Sequence, residues 1–385
     1  MIAENEYYSY NYKELPKGCQ FCVNGEKIVL FVTGLCPRKC YFCPVSDHKY
    51  GQDVSFGNER KLTSTDDLIK EAQMMQAKGA GITGGDPLVK LERTINYIKK
   101  LKAHFGKDFH IHLYTSLNLV TDSTLQKLYQ AGLDEIRFHL DIQSNTFWKK
   151  IELAKKFPWD VGVEIPLVPD KEKEIFNVLE FIKDKVQFLN LNELERSDNS
   201  LSKLSEMGFE TKNQYSYAIK GSVELGQKII NYVETQKYPL AVHVCTAKLK
   251  DKIQLTNRIE RESINAKKEF DIVDKEGLLK RGALYLEDLA PGFNYRKKLA
   301  EIDKSLYIQK LQPLYEKIKS ELSLTDNQIY LDPEKPRILL SAKNARVHQK
   351  KFQEMNLLVA LVLEYPTADQ LEIEVEFLKG EFILN

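Results

Sequence analysis

Residues 36 to 43 read CPRKCYFC, which places three cysteines as Cys36-x3-Cys40-x2-Cys43 just after the apolar run Ile28 to Thr33. Thiolates in one short loop are the usual ligands of an iron–sulfur cluster. A cubane cluster has four irons, and this loop offers three sulfurs. One iron is then left open to a ligand that is not protein. Zinc competes poorly here, because structural zinc takes four protein ligands and no nearby fourth residue completes the pattern. Five of the six cysteines fall between Cys19 and Cys43, a density that speaks for ligands rather than scattered core thiols.

A second set of such residues lies on either side. Cys19-Gln20-Phe21-Cys22 precedes Asn24-Gly25, a strong short hairpin signal. It predicts a hairpin that folds residues 19–23 beside the first strand and carries Cys19 toward the catalytic end. His243 and Cys245 alternate on the last expected strand and so point the same way. The residues leave three readings open for Cys19, Cys22, His243 and Cys245: a second, auxiliary iron–sulfur cluster, a tetrahedral Cys3His zinc site, or unliganded thiols.

The elements that must position these groups are legible in the apolar periodicity. Strands are expected near 27–33, 80–83, 109–115, 135–140, 161–166, 186–192 and 239–244. Helices are expected near 66–76 (Thr65 as N-cap, Gly79 just past the end), 89–104, 122–131, 144–156, 171–184 and 221–236. Strand–helix alternation of this length means parallel βαβ units. The expected fold class is therefore α/β, a partial (βα)6-7 TIM-like barrel. A C-terminal α+β accessory domain follows, with a charged helix near 294–322 and strands near 283–288, 328–331, 337–341, 357–364 and 371–377. The boundaries read as 1–25 for an N-terminal extension, 26–245 for the core and 246–385 for the accessory domain.

In such barrels chemistry sits at the C-terminal strand ends, and polar groups collect there. Thr83-Gly84-Gly85-Asp86-Pro87 follows strand two, and Ser116 and Asn118 follow strand three. Strand four alternates Arg137, His139 and Asp141 with Ile136, Phe138 and Leu140. A buried parallel strand should be apolar on both faces, so one polar face implies a lumen that holds a ligand. Glu164 on strand five, with Asn190 and Asn192 on strand six, follows the same logic.

CPRKCYFC, with Phe42 just before its third cysteine, is followed about forty residues later by Gly84-Gly85-Asp86-Pro87. Over roughly residues 26–245 the chain thereby resembles the radical S-adenosylmethionine (radical SAM) superfamily. Its compact core looks most like an archaeal group related to the pyruvate formate-lyase activating enzyme. The resemblance implies a [4Fe-4S] cluster on Cys36, Cys40 and Cys43 whose open iron binds S-adenosylmethionine. Reductive cleavage then gives a 5′-deoxyadenosyl radical that abstracts hydrogen from substrate. It further implies that Gly84, Gly85, Asp86 and Pro87 face the methionine amino group. Asp86 stands where the family commonly has Glu, one methylene longer. Ser116, Arg137 and His139 become candidates for the methionine carboxylate and the ribose. A low-potential electron donor of ferredoxin or flavodoxin type is implied as partner. The expected substrate is an unidentified small molecule or lipid precursor. The alternatives are a macromolecule (glycyl-radical protein, peptide or RNA) and a non-catalytic metal module.

Composition excludes little more. Hydrophobic content of 43% and charged content of 29% describe an ordinary globular chain, and a net charge of +1 weighs against nucleic acid without excluding it. The N-terminus lacks a basic stretch followed by an apolar core, and no apolar run approaches the ~20 residues of a bilayer span. A cytoplasmic location is expected, where thiols stay reduced. The basic stretch Lys248, Lys250, Lys252, Arg258, Arg261, Lys267 and Lys268 reads as a solvated helix face, with an anion-binding rim as its rival.

Overall fold

The computed structural model describes residues 2–378; residue 1 and residues 379–385, the outer ends of the expected extension and accessory domain, lie outside the described residues. The chain divides into two compact units, one ending at Arg258 and the other beginning at Ile259.

The first unit runs β1 (Tyr10–Tyr12), α1 (Lys17–Val23), β2 (Lys27–Phe31), β3 (Phe56–Gly57), β4 (Arg60–Lys61), α2 (Thr65–Met74), β5 (Gly79–Thr83) and α3 (Leu91–Phe105). It continues with β6 (His110–Ser116), α4 (Asp122–Ala131), β7 (Glu135–His139), β8 (Asp160–Leu167), α5 (Glu172–Ile182), β9 (Phe188–Glu193), α6 (Ser222–Gln236) and β10 (Ala241–Cys245). The strands form one sheet in the order β1-β10-β9-β8-β7-β6-β5-β2-β3-β4. From β2 through β5 to β10 every pairing is parallel. The ends of that series do not pair with each other, so this is the expected partial TIM-like barrel. Its edges are covered by antiparallel β1 on β10 and β3 on β2.

Alternation along each strand builds the two faces. Ile28, Leu30, Ile82, Ile111, Leu113, Ile136, Phe138, Val163, Leu189 and Val244 join one apolar layer under the helices. The residues between them face the lumen. Each helix earns its place by the same stripe: α3 buries Ile95, Ile98 and Leu101, and α5 buries Ile175, Val178, Leu179 and Ile182.

Local details depart from expectation. Helix α2 is capped by Ser64, whose side chain accepts from the Asp67 N–H, rather than by Thr65. It ends at Met75, and Gly79 opens β5, where an added Cβ would lie 2.2 Å from the His110 carbonyl oxygen. The segment expected as a helix over 144–156 winds as a 3-10 helix over Trp148–Lys156. No hairpin forms at Asn24-Gly25. Residues 17–23 are helical instead, and the Glu26 N–H donates to Phe21 O at 2.9 Å while Gly25 N–H donates to Cys22 O at 3.0 Å. That is a Schellman stop, with Gly25 at φ +65°. A left-handed glycine serves a helix end as well as a hairpin turn, and the sequence signal does not separate the two.

After β10 a helical segment covers residues 247–266, widened to a π-helical turn over Lys250–Leu255. Its first part belongs to the barrel unit: the Asn257 amide donates to Val23 O at 2.7 Å, and Arg258 pairs with Glu59. The unit boundary thus falls later than the composition change at residue 246. Among the basic residues there, Arg258 and Lys250 have carboxylate partners, Glu59 and Glu195, so they are not free anion ligands.

The second unit is α+β. Strands β11 (Ile272–Val273), β12 (Leu279–Leu286), β13 (Ile329–Asp332), β14 (Arg337–Leu340), β15 (Leu357–Glu364) and β16 (Glu372–Phe377) make an antiparallel sheet ordered β13-β14-β12-β15-β16, with β11 on β12. Leu311 and Ile318 from the helix Lys304–Glu321 pack on one face with Leu284, Ile338 and Val359.

Candidate iron–sulfur and cofactor site

The segment that leads into Cys36 is locked by the turn after β5. Val32 N–H donates to Thr83 O at 2.9 Å, Gly85 N–H to Thr33 O at 2.7 Å and Asp86 N–H to Leu35 O at 2.9 Å. Both glycines are needed for this crossing. Gly84 has φ +155°, and a Cβ on Gly85 would lie 2.4 Å from Leu35 O. The Gly-Gly pair therefore fixes where the cysteine loop begins.

Asp86 is turned back onto the end of β6. Its side chain is buried, and its two oxygens accept four hydrogen bonds: from Leu88 N–H (3.0 Å), Thr115 Oγ1 (2.8 Å), Ser116 N–H (3.0 Å) and Ser116 Oγ (2.6 Å). Asp86, expected at the methionine amino group, thus braces the β5 and β6 ends here, and the Ser116 hydroxyl donates to it. The shorter Asp suits this role, since it turns back to staple the β5 and β6 ends together. Burial pushes its carboxyl above the usual range, against the pull of the Ser116 and Thr115 hydroxyls.

The cysteine loop itself is braced from two sides. Arg38 donates to His139 O at 3.1 Å and pairs with Asp141 at 3.4 Å, tying the loop to the end of β7. Asn199 donates to Cys43 O and Val45 O at 3.0 and 2.9 Å, and Lys203 N–H donates to Tyr41 O at 2.7 Å. The excursion between β9 and α6 thus supports the loop, a role that nothing local in its sequence signals. The ring of Phe42 lies 6.0 Å from that of His139. Cys36, Cys40 and Cys43 are free thiols with partial exposure, and Arg38 N–H approaches the Cys36 sulfur at 3.4 Å. Burial pushes all three thiols up, Cys36 to about 11. Beside them opens a cavity of about 350 Å³ whose lining includes Arg38, Cys40, Phe42, Asn118, His139 and Asp141. Three clustered thiols with room beside them fit a cluster that keeps one iron for a ligand.

Within the lumen the register sorts the remaining candidates by depth. His139 pairs with Ser116 at the upper end, and Arg137 pairs with Tyr114 one step below. The His139 Nδ1 lies 3.0 Å from Glu164 O, so a proton there leaves Nε2 as an acceptor. Burial lowers the ring to about 4, and it is neutral at pH 7. Arg137 is fully inside and committed: Nε to Glu135 at 2.5 Å, and Nη1 to Glu164 at 2.9 Å and Tyr114 at 3.0 Å. Two carboxylates therefore lie on Arg137, and its Nη2 has no hydrogen-bond partner. Glu164 also accepts from Asn190 (3.0 Å) and Asn192 (2.8 Å). Burial would raise its carboxyl, but Arg137 and the two amides outweigh it and hold it down. Glu164 and Asn190 therefore form a lumen network with Arg137. Tyr114 and Glu135 belong to the same network, and the His112 ring packs edge-on against Tyr114 with its Nδ1 unpartnered. The alternation His110, His112, Tyr114 in β6 was the available signal for His112 and Tyr114.

The second set is partly gathered. Helix α1 enters the lumen, where Gly18 N–H donates to Glu135 at 3.1 Å and the Asn190 amide lies 3.2 Å from the Cys19 sulfur. His243 sits directly across from Asn190, and Cys245 from Asn192. Among the described residues of this unit, no three His, Cys, Asp or Glu ligand atoms lie mutually within 4.8 Å.

The family model for the radical SAM superfamily matches residues 30–217. A protein of Methanocaldococcus jannaschii is 36% identical over 378 residues, 96% of this chain and 94% of its own length. It carries the provisional name glycyl-radical enzyme activating enzyme. A Methanococcus aeolicus protein provisionally named GTP 3′,8-cyclase is 30% identical over 149 residues, 36% of this chain and 46% of the relative. Among solved structures, SuiB of Streptococcus suis bound to its precursor peptide superposes with a TM-score of 0.41 at 12% identity, covering 59% of this chain and 51% of that one. The chain belongs to the radical SAM superfamily. It is a radical SAM enzyme, and the family implies a [4Fe-4S] cluster and S-adenosylmethionine. Among the described residues no helix is long and apolar enough to cross a membrane.

Proposed function

We propose that Cys36, Cys40 and Cys43 hold the cluster, and that the radical it generates takes hydrogen from a polypeptide presented at the mouth of the barrel. The observation that carries the substrate class is the full-length likeness to the relative named as an activating enzyme. The cavity beside Cys40, about 350 Å³, is at the small end of ligand sites and suits one nucleoside-sized molecule. Below it α1 and the Arg137–Glu135–Glu164 network line the lumen. That arrangement leaves the mouth as the place for substrate.

A reduced cluster held by Cys36, Cys40 and Cys43 would supply the electron that cleaves S-adenosylmethionine to a carbon radical. The chain's own residues orient and shield. Arg38 and Asp141 pin the loop, and Phe42 and Trp148 wall the cavity against water. Neutral His139 offers Nε2 as a hydrogen-bond acceptor at the cavity wall. A low-potential ferredoxin or flavodoxin would deliver the electron.

The test is formation of 5′-deoxyadenosine by anaerobically reconstituted protein given dithionite and a host extract split by ultrafiltration. Stimulation by the macromolecular fraction, with deuterium or spin appearing on protein, is expected. Stimulation by the small-molecule filtrate alone would overturn the polypeptide reading in favour of a small molecule or lipid precursor.

A further inference from the structure

His243 is buried at 2% exposure on β10, and neither ring nitrogen has a hydrogen-bond partner. A buried imidazole with both nitrogens bare is costly, since each unpaired polar group forfeits its hydration. Its neighbours are not random. Asn190, directly across the β9–β10 pair, has an unpartnered Oδ1 and turns its amide toward the Cys19 sulfur. Cys22 lies one turn further on α1, on the same side as Cys19. Cys245 is two residues beyond His243 on the same face of β10. Arg137 adds a further unpartnered atom, Nη2, to the same lumen.

We propose that Cys19, Cys22, Cys245 and His243 ligate a second iron–sulfur cluster inside the barrel. Three soft sulfurs and an imidazole select a thiophilic metal. As placed, no three of their ligand atoms lie mutually within 4.8 Å, which is also true of Cys36, Cys40 and Cys43, and this wider spread suits a polynuclear centre. Helix α1 is what delivers two of the ligands, and Gly18 permits it: a Cβ there would lie 2.5 Å from Arg137 Nη2 and 2.8 Å from Glu135. The Asn190 amide would donate to the Cys19 thiolate. In metal-free protein burial holds the Cys19 and Cys245 thiols up at about 12, and a bound metal would displace their protons.

The test does not use catalysis, so it is separate from the reading above. The C36A/C40A/C43A protein is reconstituted anaerobically with iron and sulfide, then assayed for iron, sulfide and Mössbauer spectrum. About four irons per chain are expected, falling to background when C19A, C22A and C245A are added. Wild type should hold about eight, and His243→Cys should keep the second cluster. If the C36A/C40A/C43A chain proves unfolded by circular dichroism, Mössbauer counting of wild type against Cys22→Ser decides: equal iron overturns the proposal. So does an iron-free C36A/C40A/C43A protein that is folded, or stoichiometric zinc held by these residues.

Discussion

Replacing Asp86 by Asn separates two roles that the motif alone does not distinguish. In the structure Oδ2 accepts from the Ser116 N–H and hydroxyl, and Oδ1 from Leu88 N–H and Thr115. An Asn can keep the second pair but presents an amide to the first. The Ser116 hydroxyl can rotate to accept; its backbone N–H cannot. The change therefore loses a charge-assisted hydrogen bond, about 1.5–3 kcal/mol, and strands a buried donor at a further 1–3 kcal/mol or so. A destabilisation of about 3–5 kcal/mol is expected. It should read as a lower midpoint in chemical denaturation with an unchanged slope. Because Asp86 N–H and Gly85 N–H hold Leu35 and Thr33, iron content should fall with it. Were Asp86 instead the partner of a methionine ammonium, Asp86→Asn would fold as well as wild type, carry a full cluster and lose only affinity for S-adenosylmethionine. That result would refute the positioning role.

Cys40→Ala should eliminate 5′-deoxyadenosine formation while leaving the denaturation midpoint close to wild type, and continued turnover would remove the assignment of the cluster to this loop. Gly85→Ala forces a Cβ to within 2.4 Å of Leu35 O, so reconstituted iron at the loop should drop severalfold; an unchanged content would show that the crossing can relax. Acid should destabilise the barrel. His110 is held at about 2 by burial and by Lys27, against 6.5 when unfolded, so between those values the unfolded chain binds the extra proton. Stability is therefore complete above pH 6.5 and declines below it by roughly 1.4 kcal/mol per pH unit for this residue. His110→Gln should flatten that dependence, and a wild-type midpoint that held steady from pH 7 to pH 5 would contradict it.

Much of this protein is local and so was readable. The Cys36-x3-Cys40-x2-Cys43 spacing, the Gly84-Gly85 pair and the seven core strands depend on residues close in sequence, where periodicity and turn chemistry speak directly. The lumen was legible for a similar reason, since Arg137 and His139 interrupt a strand that should be apolar on both faces. Partnership across the chain was not. Whether Asp86 met a ligand or a neighbour depended on Ser116, thirty residues away. Arg137 looked free until Glu164 and Glu135 were seen on it.

Asn24-Gly25 illustrates the division most plainly. The pair demanded a left-handed residue, and Gly25 supplies one at φ +65°. Only the fold decided that it would end a helix, because the barrel offered α1 a seat against Glu135, 117 residues on. The amino-acid sequence by itself determined which groups could carry iron and sulfonium chemistry and the periodicity of the strands that carry them. Tertiary structure alone decided which polar atoms were already spent on each other and which remained bare, because hydrogen-bond satisfaction belongs to contacts and not to spacing.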